Sequence, residues 1–230
     1  MDFIDLRYYV PLRHLDVFAR GLLLTIRLVA LSCTFGLALG IIGAFLKTSK
    51  NRILYIMSNA YVMFFRNTPL LVQIYFLYFA LPTLNIDMSA DNTALLALSL
   101  IFGAYATEII RGGIEAVHNN FIEAGFSLGM NSLQVFRHIK LPLAMKAIAP
   151  PLSNQIILIV LSSAIVGQIS GRDLLYEASL LDSRYFRSFE IYTVTALIYF
   201  LFAKVLSIIF YKLNKKIFRQ EPPQRLSSTL

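Results

Sequence analysis

EAGFSLGMNSLQVFRHIKLP, residues 123 to 142, lies between long apolar runs and is itself too polar to sit in lipid. Glu123 opens a short segment, and Ala124 and Gly125 leave its surface bare. Gly129 can take the left-handed conformation that stops a helix. Asn131 and Gln134 stand at the spacing of a capping box, the reciprocal side-chain-to-backbone pairing that starts a helix. The segment that follows sets Leu133, Phe136 and Ile139 at helical spacing, carries Arg137, His138 and Lys140 elsewhere around it, and is closed by Pro142. The expected local structure is helix, glycine bend, helix: a rigid, small-faced knuckle held just outside a membrane.

The rest of the chain supplies the membrane. Of 230 residues 57% are hydrophobic and 15% charged, with a mean hydropathy of +0.65, which separates the chain from soluble domains and places it among polytopic membrane proteins. Phe and Tyr are the only aromatic types, and many stand near the ends of apolar runs, where interfacial belts form. The net charge of +8 comes from residues that flank apolar runs and form no continuous basic face, so nucleic acid is not an expected partner. Cys33 is the single cysteine and lies inside an apolar run, which excludes a disulfide framework and a Cys-rich metal site. Asp2, Asp5 and Asp16 spoil a basic leader, and the apolar run after them is too long for a signal peptide, so it is expected to stay as a transmembrane helix.

A hydrocarbon core of about 30 Å needs about 20 helical residues. Gly21 to Leu46 supplies one span, with Gly36 and Gly40 four apart on a small-residue face suited to close helix contact. Ile53 to Leu81 is too long for one untilted span, and Pro69 near its middle predicts a kink or break between Phe65 and Leu70. An interfacial first part and a second span from about Pro69 to Leu81 are expected, followed by a short loop carrying Asp87 and Asp91. Thr93 to Ile110 is the third span. Ala147 to Gly171 is the fourth, with Pro150 and Pro151 delaying its regular start. Gly171 to Glu190 reads as a mixed polar loop and Ile191 to Tyr211 as the fifth span. The fold class is thus an all-α polytopic membrane protein of five transmembrane helices. It divides into an external interfacial N-terminus (1–20), a transmembrane domain (21–212) and a cytoplasmic basic tail (213–230), whose Pro/Ser-rich end is expected to be disordered. With five spans, one side collects 12 Lys and Arg residues and the other 6, so the richer side, with the knuckle and the C-terminus, is read as cytoplasmic and the N-terminus as outside.

The chain carries no nucleotide-binding loop: Lys47-Thr48 is the nearest approach, but Leu46 stands where the second glycine of a P-loop is needed. His14, His118 and His138 are scattered and no HExxH pattern occurs, so an enzyme is not expected. The candidates are charges and polar groups in or beside the spans, since a charge in lipid costs about 2.5 kcal/mol or more and must face protein or water. Glu108 can pair with Arg111 at i+3, or line a path or interface. Arg66, Asn67, Thr68 and Pro69 mark loosened backbone, either an interfacial anchor or part of a solute path, with Gln73 one turn on. Asn154, Gln155, Ser162, Ser163 and Gln168 give the fourth span neutral hydrogen-bonding groups that glue helices or meet solute. Arg27 and Lys204 read as snorkelling residues.

The order Glu-Ala-small, Gly four residues later, then Ile-x-Leu-Pro resembles the EAA loop of binding-protein-dependent ABC importers. RNTPLLVQIYFLYFALP (66–82) and GAYATEIIRGGIEAV (103–117) are similar to the polar amino acid permease branch, and the resemblance covers roughly residues 20 to 212. It implies a type-1 ABC importer permease in a bacterial inner membrane. Glu123, Ala124, Gly125, Leu128, Gly129, Leu141 and Pro142 would contact the ATPase, and no cofactor would sit on this chain, ATP-Mg residing on the ATPase. The implied partners are two ABC ATPase subunits, a second permease chain (identical or a sister), an external solute-binding protein and the lipid bilayer. Departures are visible: Asn120-Phe121 replaces the usual Gly-Gln before the loop, Gly125 a common Ala, and Leu161 to Ile165 lacks the Lys-x-Thr-Ser-Leu stretch of relatives. Readings from other classes are an ion-gradient carrier or channel, which would need internal repeats or paired intramembrane acids, and a membrane scaffold without transport.

Overall fold

A computed structural model of the chain describes residues 8–218. Expectations for residues 1–7 and for the end of the tail, 219–230, lie outside the described residues. All regular structure among the described residues is helical. A short α1 (Tyr9–Arg13) leads into α2 (Leu15–Lys47), and α3 (Arg52–Asn67) is followed across a break by α4 (Leu70–Tyr75), which continues through a π turn at Phe76–Ala80 and a 3-10 turn at Leu81–Leu84. Next come α5 (Ala90–Glu115), α6 (Asn119–Ser127) and α7 (Ser132–Val135). A second π turn at Phe136–Lys140 joins α7 to α8 (Leu141–Ser162), which ends in a 3-10 turn, Ser163–Ile169. The chain closes with α9 (Leu174–Tyr185) and α10 (Ser188–Phe218).

Among the described residues four helices are long and apolar enough to cross a membrane: Leu15–Lys47, Ala90–Glu115, Ser132–Ile169 and Ser188–Phe218. The second expected span is the shorter Leu70–Leu84, which at 1.5 Å per residue reaches about 22 Å.

The core forms where α2 crosses α5. Gly36, Gly40 and Gly43 lie buried along α2, and a Cβ placed on Gly40 would stand 2.5 Å from that of Ala106. The small-residue face therefore does what its spacing predicts: it lets two backbones approach without a side chain between them. Leu98, Phe102, Ile74, Val160 and Val166 fill the space around the crossing. Two polar ties fasten α3 to this pair, Ser58 Oγ donating to the Gly43 carbonyl at 2.8 Å and Tyr61 Oη to the Leu100 carbonyl at 2.6 Å.

Three local expectations are corrected. Pro142 does not close the helix of the knuckle; helix runs on from Ser132 to Ile169. Proline lacks an N–H and its ring crowds the carbonyl four residues back, and the π turn immediately before it widens the helix there, with Leu141 N–H reaching Phe136 O. The same device precedes Pro82, where Leu81 N–H reaches Phe76 O; both sites read Phe-x-x-x-x-Leu-Pro. Pro150 and Pro151 likewise sit inside α8 and do not delay it. Helix is held there by packing, with Ile148 buried on one side of the prolines and Leu152 and Ile156 against the core on the other. Finally, residues 171 to 190 are not merely loop. They contain α9, whose Leu174, Ala178 and Leu181 bury against Phe18 of α2 and Ile191 of α10.

Candidate functional site

The knuckle is built from two reciprocal backbone locks. At the end of α6, Gly129 has φ 81°, its N–H bonds Phe126 O at 2.9 Å, and Met130 N–H bonds Gly125 O at 3.1 Å. This is a Schellman motif, and it needs the left-handed residue that glycine supplies. Two residues on, Asn131 Oδ1 accepts from Gln134 N–H while Gln134 Oε1 accepts from Asn131 N–H, each at 2.9 Å. The start signal therefore follows the stop signal directly, Asn131 after Met130, and the bend between α6 and α7 has little freedom.

Gly125 is buried because α6 lies directly on the π turn: a Cβ there would meet Ile139 Cδ1 at 2.6 Å. Ala124 is exposed. Glu123 is exposed too, but it does not open the helix. It is the fifth residue of nine, beyond reach of the N-terminal dipole. The start is earlier because Ile122, three residues before Gly125, packs with Val117, Ala144 and Ile148 and brings a further turn into register. The outer surface is apolar: Leu128 is 82% exposed and Leu133 73%, with Phe121, Phe126, Phe136 and Leu141 also open. Pro142 is exposed beside them. The seven residues expected at the coupling surface thus divide into Gly125, which supports from beneath, and six that are exposed.

The break in the second apolar segment is present where Pro69 predicts it. Thr68 (φ −110°, ψ 141°) and Pro69 (φ −63°, ψ 136°) are extended between two helices. Gln73 is buried beneath them, and its Nε2 lies 3.0 Å from Phe65 O, 3.0 Å from Thr68 O and 2.8 Å from Thr68 Oγ1. One amide thereby occupies carbonyls that the break frees. Its Oε1 is buried without a hydrogen-bond partner. Arg66 lies over the Tyr105 ring at 5.1 Å, and Asn67 is exposed.

The remaining candidates are not all gathered in one place. Glu108 accepts from Lys47 at 2.6 Å and from Arg111 at 2.9 Å, and Arg111 also reaches Glu115. The expected i+3 pair is therefore one arm of a four-residue cluster that ties the C-terminal end of α2 to α5. In the fourth apolar helix Asn154 is exposed, Gln155 buried and Ser162 half-buried. Ser163 turns inward and donates to Val160 O at 2.8 Å.

A polar network escaped sequence reasoning. Asp173 is fully buried, caps α9 by accepting from Tyr176 N–H at 2.8 Å, and accepts from Tyr199 Oη at 2.9 Å. Leu174 N–H donates to Thr25 Oγ1 at 3.0 Å. Burial pushes the Asp173 carboxyl up to about 6 against the hydrogen bonds that pull it down. The signal that could have found it is an aspartate directly before apolar residues at helical spacing, Leu174, Ala178 and Leu181.

Residues 36–219 match the family described as binding-protein-dependent transport system inner membrane component. The chain is 31% identical over 199 residues to the glutamine transport system permease protein GlnP of Escherichia coli (strain K12), covering 86% of this chain and 91% of that protein. It is 33% identical over 204 residues to the L-cystine transport system permease protein TcyB of Bacillus subtilis (strain 168), covering 88% and 87%. A solved structure of an amino acid ABC transporter with histidines aligns at a TM-score of 0.88 and 32% identity, over 93% of this chain and all of that one. The methionine ABC transporter MetNI, at TM-score 0.72 and 17% identity over 87% of this chain and 96% of that one, shares the fold. The family match and these relatives run along most of the sequence, and the chain belongs to the binding-protein-dependent transport system inner membrane component family.

Proposed function

We propose that this chain is the membrane-spanning permease subunit of an ATP-driven importer for an amino acid or a similar small polar solute, and that its knuckle is the surface on which an ATPase subunit docks. The observation that carries this is mechanical. A doubly locked bend exposes Leu128, Phe126 and Leu133, and its second arm is continuous with the helix that enters the membrane, Ser132–Ile169. A push on such a bend is transmitted along a rigid element and not absorbed in a loop. Glu123, Ala124, Leu128, Gly129, Leu141 and Pro142 would meet the ATPase, and Gly125 would fix their height above the π turn. ATP, held by the partner, would bias the pathway between inward- and outward-facing states through differential binding.

The pathway would be shared by two permease chains, identical or sister, with two ATPases on the knuckle side and a solute-binding protein opposite. Five crossings, counting Leu70–Leu84, would set the N-terminus outside and the C-terminus in the cytoplasm of a bacterial inner membrane, in keeping with the 12-to-6 division of basic residues. Arg66, Asn67, Thr68, Pro69 and Gln73 at the break, with Glu108, Asn154, Gln155, Ser162 and Ser163, are candidates for the solute path. The identity of glutamine and cystine carriers among the relatives supports a zwitterionic cargo.

The test is uptake into vesicles containing this chain, its ATPase and its binding protein, with ATP inside. Uptake should require all three components, and both Glu123→Lys and Gly129→Val should depress it severalfold while membrane insertion is unchanged. Uptake driven by a pH or sodium gradient with this chain alone, undiminished by both substitutions, would overturn the reading in favour of a stand-alone carrier.

A further inference from the structure

At the end of the bundle away from the knuckle, a cleft of about 320 Å³ lies between α2, the first turn of α5 and the turn before α9. Its walls carry three charges: Arg27, Arg172 and Asp91. The ion pairs among the described residues join Lys47, Arg111 and Arg187 to carboxylates, and neither Arg27 nor Arg172 is among them. Asp91 accepts one bond at Oδ1, from the Arg172 backbone N–H at 3.1 Å, which leaves Oδ2 open. Opposite charges that could collapse onto one another instead stand apart around an open space.

Depth identifies what that space meets. Lys47, tied to Glu108, ends α2, and Arg27 stands 20 residues earlier on the same unbroken helix. At 1.5 Å per residue the two are about 30 Å apart, one hydrocarbon thickness. Arg27 is therefore at the level of the other leaflet's headgroups. Arg27 is exposed there, among the anionic groups of that leaflet, with Leu28, Leu31 and Leu95 lining the cleft beside it.

We propose that this cleft binds a small zwitterion, an anionic oxygen group held by the Arg27 and Arg172 guanidiniums and an ammonium held by Asp91. Two guanidiniums form a forked donor set for phosphate or carboxylate oxygens. The single open carboxylate oxygen selects an N–H-bearing cation. Two sources share this chemistry: a phospholipid headgroup with a primary amine, whose chains would follow the leucines, and a free α-amino acid. The site lies apart from the break at Pro69 and does not depend on the proposed direction of transport.

The test uses the full chain purified in detergent and measures lipid retention by native mass spectrometry together with thermal melting. Phosphatidylethanolamine, phosphatidylcholine and phosphatidylglycerol are added at equal mole fraction, and free glutamine in a separate series. Phosphatidylethanolamine should be retained over phosphatidylcholine, whose quaternary ammonium has no N–H for Asp91, and over phosphatidylglycerol, which has no ammonium. Arg27→Gln and Arg172→Gln should each weaken retention about tenfold, the size expected for one charge-assisted hydrogen bond. Arg27→Lys, which keeps the charge, should lose less. Asp91→Asn, which retains the Oδ1 acceptor, should erase the preference over phosphatidylcholine and leave phosphatidylglycerol unaffected. Protection by glutamine that fails in the same variants, without a phosphatidylethanolamine preference, assigns the zwitterion as a free amino acid and upholds the site. Equal retention of the three lipids with no glutamine effect, or a preference for phosphatidylglycerol that Asp91→Asn leaves unchanged, overturns it.

Discussion

Gly129 shows how narrowly one residue can be specified. Its φ of 81° is left-handed, yet a Cβ placed there would meet nothing within 4 Å. Strain would therefore come from the backbone alone, and side chains should rank by their tolerance of that conformation. Gly129→Asn should melt close to the parent, while Gly129→Val should cost the knuckle about 1–3 kcal/mol and depress coupled uptake. Thermal melting of the two variants side by side checks the ranking; equal behaviour would show that the bend does not depend on glycine. Asp173 makes the second prediction at this scale. Its carboxyl is raised to about 6 from an ordinary value near 3.8, so between those limits the folded chain keeps a proton that the unfolded chain releases. Stability from this group is thus greatest at the acid end, falls as pH rises through about 4 to 6, and is level above. Asp173→Asn keeps the acceptor for Tyr176 N–H, and the Tyr199 hydroxyl can turn to accept from the amide. It should melt with the parent at pH 4 and above it at pH 7.5, by an amount on the order of 2 kcal/mol. A gap that does not widen with pH would remove Asp173 as its source.

Elements are held here by close backbone approach more than by large side chains. The glycine face of α2 against Ser99, Phe102, Ala106 and Thr107 of α5 is the clearest case. Gly40→Leu should force the two helices apart and cost about 1–3 kcal/mol, the usual range for overpacking. The same change at Gly112, where a Cβ meets nothing within 4 Å, should be nearly neutral. Melting of the two variants in one detergent is the check, and equal losses would place the tight crossing elsewhere. The π turns before Pro82 and Pro142 belong to this scale as well. Each lets a proline stay inside a continuous helix, so an element that sequence reading would end at Leu-Pro instead carries on, and the knuckle gains an unbroken connection to the membrane.

The whole molecule sets its knuckle and its polar cleft at opposite ends of an apolar bundle. Asp87 and Asn119 flank α5, whose 26 residues extend about 39 Å, more than a hydrocarbon core. Cysteines placed at these two positions should therefore label from opposite sides of sealed vesicles, with Asn119 on the side of the Lys47–Glu108 cluster. Labelling of both from one side would remove α5 as a crossing and with it the proposed orientation. The outer faces are covered in apolar side chains: on α10, Leu197, Phe200, Leu201, Val205, Ile208 and Ile209 are all exposed, as a helix bathed in lipid requires.

What the sequence determined by itself was whatever depends on neighbours along the chain. Long apolar runs announce α2, α5, α8 and α10; Gly129, Asn131 and Gln134 announce the bend; Pro69 announces the break. These features follow from local hydrogen bonding, a fixed proline φ and the cost of exposing backbone to lipid, none of which needs a distant partner. Tertiary structure decided the rest. Residues 171 to 190 look polar because α9 buries only Leu174, Ala178 and Leu181, and its helix is secured by Thr25, 149 positions before Leu174. Glu108 becomes a cluster only when Lys47, 61 residues away, arrives on the neighbouring helix. Pro142 reads as a stop, and Pro150 and Pro151 as a delayed start, because a proline interrupts hydrogen bonds, and all three are carried through because packing of Ile148, Leu152 and Ile159 outweighs the bonds lost. Local chemistry names the breaks in a chain, but only the burial available in the assembled bundle determines which of them the helix obeys.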